Sequence, residues 1–165
     1  MKKLKVQSDN KQLVENENLT SFFTEIKTIL AQSRQKSYQA INSAMVDAYW
    51  LMGKRIVEQE QQGKNRAEYG EHILVELSKA LTTEFGKGFS YANLRNFRQF
   101  YLTFPDKEIC YALRSKLKWT HIRLIMRVSN PKAREYYFTE SSSQMWSSRE
   151  LERNICTHSN RTRTN

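Results

Sequence analysis

Arg95, Asn96 and Gln99 fall on one side of a segment that winds as a helix at about 100° per residue. Arginine, asparagine and glutamine are the side chains that can make paired hydrogen bonds to guanine and adenine edges in a DNA major groove. Ala92 and Thr103 share that side, and a small residue near the helix start lets the backbone approach closely. Arg98 lies on the flank and Lys87 in the preceding turn, where both suit phosphate contacts. Leu94, Phe97, Tyr101 and Phe104 fall opposite, on the side expected to bury against the preceding helix. The chemistry implied is recognition, with no bond made or broken.

The charge supports a polyanionic partner. Residues 86–134 hold 11 Lys and Arg against 2 Asp and Glu, a net +9 of the +10 on the whole chain, while the segments on either side are nearly neutral. A positive field concentrated on one stretch attracts nucleic acid and holds it by counterion release. A second basic group, Arg114, Lys116, Lys118, Arg123, Arg127, Lys132 and Arg134, follows the first. Arg123 and Arg127 are four apart and share a helix face, and Lys116 and Lys118 precede that helix. The candidate contacts are therefore Lys87, Ser90, Ala92, Arg95, Asn96, Arg98, Gln99, Lys116, Lys118, Arg123 and Arg127.

Catalytic patterns are missing. His72, His121 and His158 show no metal-ligand spacing, and His121 behind Trp119-Thr120 reads as a structural histidine. Gly86-Lys87-Gly88 lacks the further glycines and the strand of a phosphate loop. Glu25-Ile26-Lys27 matches a nuclease E-x-K only by letter, since it sits in a helix without an acidic partner. No metal and no cofactor are expected, and the reading is of a protein that is not an enzyme.

The elements that must position these residues are helices. From Leu19 to Ile56 apolar residues recur at steps of three and four, with no Pro and a single Gly, Gly53, over residues 17–62. This predicts one very long helix, or two with a soft break near Ser33–Ser37, ending at a Gly63 cap. After a polar loop, Gly63–Gly70, a helix over about 71–85 carries Ile73, Leu74, Leu77, Ala80, Leu81 and Phe85. The turn Gly86–Ser90 leads to a helix from Ser90 to Phe104, stopped by Pro105. Its glycines and the Ser90 cap make about 71–104 a helix-turn-helix. Shorter helices follow at about 107–115, 119–129, 132–140 and 148–156, the third opened by Pro131 and the last capped by Ser147 or Ser148. Nothing alternates as a strand, so the fold class is all-α. Residues 1–16 read as a flexible arm, 17–156 as one helical domain and 157–165 as a disordered tail.

A chain of 165 residues makes one domain with a proper core. Cys110 and Cys156 form neither a metal-binding nor a disulfide pattern, which points to a reducing cytoplasm. No apolar run approaches the roughly 18 residues that span a membrane, and no apolar stretch follows the basic N-terminus as in a signal peptide.

Several phrases together resemble the N-terminal domain of the bacterial YhcG family. They are Ala67-Glu68-Tyr69-Gly70, Leu77-Ser78-Lys79-Ala80-Leu81, Phe85–Ser90 with Asn93-Leu94-Arg95, Arg98–Tyr101, and Phe104-Pro105. Leu117–His121, Ala133–Tyr137 and Trp146–Leu151 continue the series, so the resemblance covers about residues 25–156. It implies a helical domain that binds DNA and normally precedes a PDDEXK-type nuclease domain with metal-bound carboxylates. That nuclease part is not in this sequence, so its activity does not carry over; the chain reads as a truncated product or a short member keeping the binding half. The resemblance also makes Trp119 and Trp146 core positions and Arg149 a buried ion-pair partner.

The expectation is thus a DNA-binding module, with duplex favoured over RNA because most Tyr and Phe fall on apolar stripes rather than on a stacking surface. The alternative is an interaction or oligomerisation module on the long helix, a homodimer or a seat for a nuclease partner.

Overall fold

The computed structural model describes the backbone of residues 2–62 and 66–163 and the side chains of 18–62 and 69–157. Among these the chain is helical, without a strand. In order the elements are α1 (Lys2–Gln62), α2 (Arg66–Phe85), a 3-10 turn (Lys87–Phe89), α3 (Tyr91–Thr103), α4 (Lys107–Lys116), α5 (Trp119–Ile125), α6 (Pro131–Ser143) and α7 (Ser148–Arg163). The expected all-α class and the long N-terminal helix are both present. α1 runs without a break through Ser33–Ser37 and begins at Lys2, so it takes in residues read as an arm. α7 likewise continues to Arg163, past the point where the polar tail is expected. Neither stretch contains a Gly or Pro to stop a helix. The Gly63 cap and the side chains of the polar loop's first residues, 63–68, lie outside the described residues.

The chain divides into two compact units, Met1–Ile41 and Asn42–Asn165. In the first, α1 exposes a run of large apolar residues: Leu19, Phe22, Phe23, Ile26, Ile29 and Leu30 are each at least 42% exposed. The second unit holds the core, in two clusters. One gathers Val46, Trp50, Phe100, Cys110, Leu113, Leu117, Ile122, Ile125, Met126, Tyr137 and Leu151. The other gathers Ile56, Leu74, Leu94 and Phe97, and Trp119 packs against both. The Tyr49 and Phe97 rings stack with centroids 4.2 Å apart, and Trp119 lies 4.9 Å from Tyr49 and 5.5 Å from Phe97.

Local chemistry sets the helix boundaries. Gly86, at φ +87° and ψ −164°, takes a backbone conformation open essentially to glycine and ends α2, and its N–H donates to the Thr82 carbonyl at 3.0 Å. The Ser90 side chain caps α3 by accepting from the Asn93 N–H at 3.4 Å, and Asn93 Nδ2 donates to the Gly88 carbonyl at 2.9 Å. Asp106 caps α4, and Asn130 caps α6 with Pro131 at its first position. At α7, Ser147 and Glu150 form a reciprocal box: Ser147 N–H donates to Glu150 Oε2 at 2.7 Å, and the Glu150 N–H donates to Ser147 Oγ at 3.3 Å.

One glycine decides how α1 meets α3. A Cβ at Gly53 would stand 2.0 Å from the Phe97 carbonyl oxygen, so the two backbones touch where only glycine fits. The contact pins the middle of α3 against α1. Phe97, Tyr49 and Trp119 form a triangle of touching rings, and α3 turns its opposite face outward.

Candidate nucleic-acid interface

α3 is buried on more of its circumference than its stripe suggests. Leu94 and Phe97 are buried as expected, Tyr101 and Phe104 partly so, and Phe100, on the edge of the stripe away from Arg98, is wholly buried in the larger cluster. What remains for solvent is a narrow strip containing Ala92, Arg95, Asn96 and Gln99. These four line a cleft of about 700 Å³. The α2 side supplies Gly70, Glu71 and Leu74, α1 supplies Glu60, and the far side supplies Arg123 and Arg127.

Two groups of candidate residues that are separate in sequence thus meet. α5 packs on α3, which carries Arg123 to the cleft. The helix expected over 119–129 ends at Ile125, and Arg127 sits in the following turn, where its N–H donates to the Leu124 carbonyl at 3.2 Å. The turn still delivers Arg127 to the cleft wall.

The hydrogen bonds divide the cleft's charges. Arg98 Nε donates to both oxygens of Glu60, at 2.7 and 3.0 Å, and the Glu60 side chain is only 12% exposed. Arg98, expected to contact phosphate, thus holds an ion pair within the protein through its Nε. The Tyr91 hydroxyl donates to Glu71 at 3.4 Å, and the Arg95 guanidinium lies 5.9 Å from the Tyr91 ring centroid. Gln99 Nε2 donates to Thr103 Oγ1 at 3.0 Å. Arg95, Arg123 and Arg127 have no carboxylate partner among the described residues. Arg123 Nε is buried and lacks a hydrogen-bond acceptor there.

The other candidates stand elsewhere. Lys87 is exposed in the 3-10 turn, and Ser90 is taken up by capping α3. Lys118 is exposed at the start of α5, and Lys116 Nζ lies 5.8 Å from the Phe138 ring. Neither lysine lines the cleft. Glu60 and Glu71 are cleft residues that the spacing did not single out, because their place depends on packing between helices distant in sequence; Tyr91, on α3 itself, was also missed.

His121 and Cys110 sit in the core. His121 is buried with Nε2 2.9 Å from the Trp146 carbonyl, as a structural histidine should be. Burial, reinforced by the charge of Asp47, pushes the Cys110 thiol up to about 11, far from a thiolate nucleophile at neutral pH. No group of three His, Cys, Asp or Glu could hold a metal among the described residues, and no described helix is long and apolar enough to cross a membrane. Trp119 and Trp146 are partly buried against the core, but Arg149 is exposed and not the buried ion-pair partner expected, because the outer face of α7 points it to water.

Residues 25–161 match the family described as the DUF1016 N-terminal domain. The chain belongs to that family. It is also 33% identical over 159 residues to an Escherichia coli (strain K12) protein described as "Putative nuclease YhcG", an alignment covering 78% of this chain and 42% of that protein. The chain thus spans less than half the length of this relative. The family match takes in α2 to α6 whole and the part of α1 that holds Glu60, and so every lining residue of the cleft. No solved structure matches it.

Proposed function

We propose that this domain binds DNA in the cleft between α2, α3 and α5, without chemistry of its own. The observation that carries the reading is the convergence of Arg95, Arg123 and Arg127 in one hollow, unmatched by carboxylates among the described residues. Arginine forks suit phosphate oxygens, and Asn96 and Gln99 beside them can bond base edges. The family supports the reading, since a relative is described as a "Putative nuclease" and this chain aligns with only part of it; a DNA-holding domain is the complement that cleavage needs. The helix-turn-helix reading of α2 and α3 then describes how the floor of the cleft is built.

The test is fluorescence anisotropy of labelled DNA of random sequence across a salt series, with Arg95→Ala/Gln99→Ala alongside. Affinity should fall steeply with salt, by a log–log slope of about −0.7 to −0.9 for each phosphate engaged, and the double variant should bind more weakly at every salt. Absence of binding at low salt would sink the proposal.

A second reading rests on α1. Its exposed run from Leu19 to Leu30 puts six large apolar side chains in twelve residues of helix. Water-facing apolar stripes of this kind mark partner surfaces, and the reading is an interaction or oligomerisation face, for a second copy or a nuclease partner. Phe23→Glu/Ile26→Glu, measured by light scattering for mass, should abolish association through this face and leave DNA binding in the cleft intact.

A further inference from the structure

The shape of the cleft bears on which form of DNA it takes. A helix that reads duplex DNA enters, as a ridge, a major groove about 12 Å wide and 8.5 Å deep. Here the strip of α3 carrying Arg95, Asn96 and Gln99 lies inside a hollow of the protein, with α2 residues on one side and Arg123 and Arg127 on the other. Two concave surfaces do not interlock. What fits a hollow of about 700 Å³ is a convex and slender object, such as one strand with its bases turned out.

We infer that the ligand of the cleft is an unpaired stretch of DNA, an overhang, flap or separated strand, with its phosphates against Arg123 and Arg127 and its bases toward Tyr91 and Asn96. The inference rests on the proposal that the cleft binds DNA and names the form. Glu71 stands on the α2 side without a cationic partner among the described residues, where its carboxylate repels phosphate and leaves the bases the nearer neighbours. Tyr91 is half-buried and held by its hydroxyl to Glu71, and Arg95 lies 5.9 Å from its ring centroid. A planar ring and a guanidinium are the two groups on which unpaired bases stack without regard to sequence. Arg123 lines the cleft without a carboxylate partner among the described residues, so its guanidinium is a donor that a strand phosphate would satisfy.

The experiment compares three labelled probes of the same sequence by anisotropy at low and moderate salt: a short single strand, its blunt duplex, and the duplex with a single-stranded overhang. The single strand and the overhang should bind at least about tenfold more tightly than the blunt duplex. Tyr91→Ala should lower single-strand affinity by about tenfold and leave the blunt duplex unchanged, and Tyr91→Phe should restore it. Because Tyr91 also packs on the smaller core cluster, Arg95→Ala, an exposed position, serves as the second variant and should lower single-strand affinity in the same direction. Blunt duplex bound as tightly as the single strand would overturn the inference while leaving DNA binding standing. So would single-strand affinity unmoved by both Tyr91→Ala and Arg95→Ala. Failure of all three probes to bind at low salt would instead remove the DNA reading itself.

Discussion

Arg123 and Arg127 face a hollow with no carboxylate partner among the described residues, whereas Arg114, Lys116 and Arg134, from the same basic stretch, are each set against a group of the protein itself. Arg114 pairs with Asp47 at 3.6 Å and lies 4.7 Å from the Tyr111 ring centroid. Lys116 and Arg134 lie 5.8 and 5.9 Å from the rings of Phe138 and Phe104. Such contacts hold a cation in place by the ring quadrupole and by packing of its stem. Formal charge and available charge are therefore different quantities. A segment's net +9 says that a field exists, and the tertiary contacts say which guanidinium groups are left to serve a ligand.

The largest expected effect separates these two groups directly. Arg123→Ala/Arg127→Ala should lower DNA affinity by at least about tenfold and flatten the salt slope by about two phosphate contacts. Lys116→Ala/Arg134→Ala removes the same formal charge and should change affinity less than about twofold. Equal losses in the two double variants, measured by anisotropy, would erase the distinction.

Arg98 sharpens it from inside the cleft. Arg98→Ala leaves the mostly buried Glu60 carboxylate without its partner, and urea unfolding should show a loss of about 1 kcal/mol, reduced by the partial exposure of the arginine. Glu60→Gln should act in the opposite sense on binding, raising DNA affinity by adding a net positive charge to the cleft. If Arg98→Ala instead cost binding as much as the Arg123/Arg127 pair while leaving stability unchanged, Arg98 would belong with the free cations.

The smallest effect is a control outside the cleft. The Ser147 N–H and hydroxyl hold the Glu150 carboxyl below its ordinary value. A lowered carboxyl contributes its stability above the unfolded value and loses it as the pH falls through the folded one. Wild type should therefore lose a little more stability than Glu150→Gln on acidification through the carboxylate range, as read from thermal melts at several pH values. DNA binding at neutral pH should be the same in both.

Much of this architecture is written locally. The α3 stripe, the Ser90 cap and the Asn130-Pro131 helix start each depend on residues within a few positions and are found where the spacing puts them, and of the two serines offered for α7 it is Ser147 that caps, in a box with Glu150. What the spacing missed is long-range. Phe100 sits at the edge of the α3 stripe, and only the placement of a second cluster buries it. Arg98 reads as free until Glu60, thirty-eight residues earlier, lies beside it. Arg123 and Arg127 seem a separate patch until α5 packs on α3. In each case the partner lies on another helix, and periodicity carries no information about which helices meet.

Gly53 makes a different kind of demand on the sequence. Nothing in its neighbourhood marks it, since a lone glycine inside a long helix reads as a minor weakness. Yet every other side chain there would bring a Cβ to 2.0 Å from the Phe97 carbonyl oxygen. In a survey of all single substitutions scored for folded protein, position 53 should stand out as a column of failures between tolerant neighbours such as exposed Leu51 and Arg55. The residue with the least chemistry in the helix would then be the one that variation can least afford to touch.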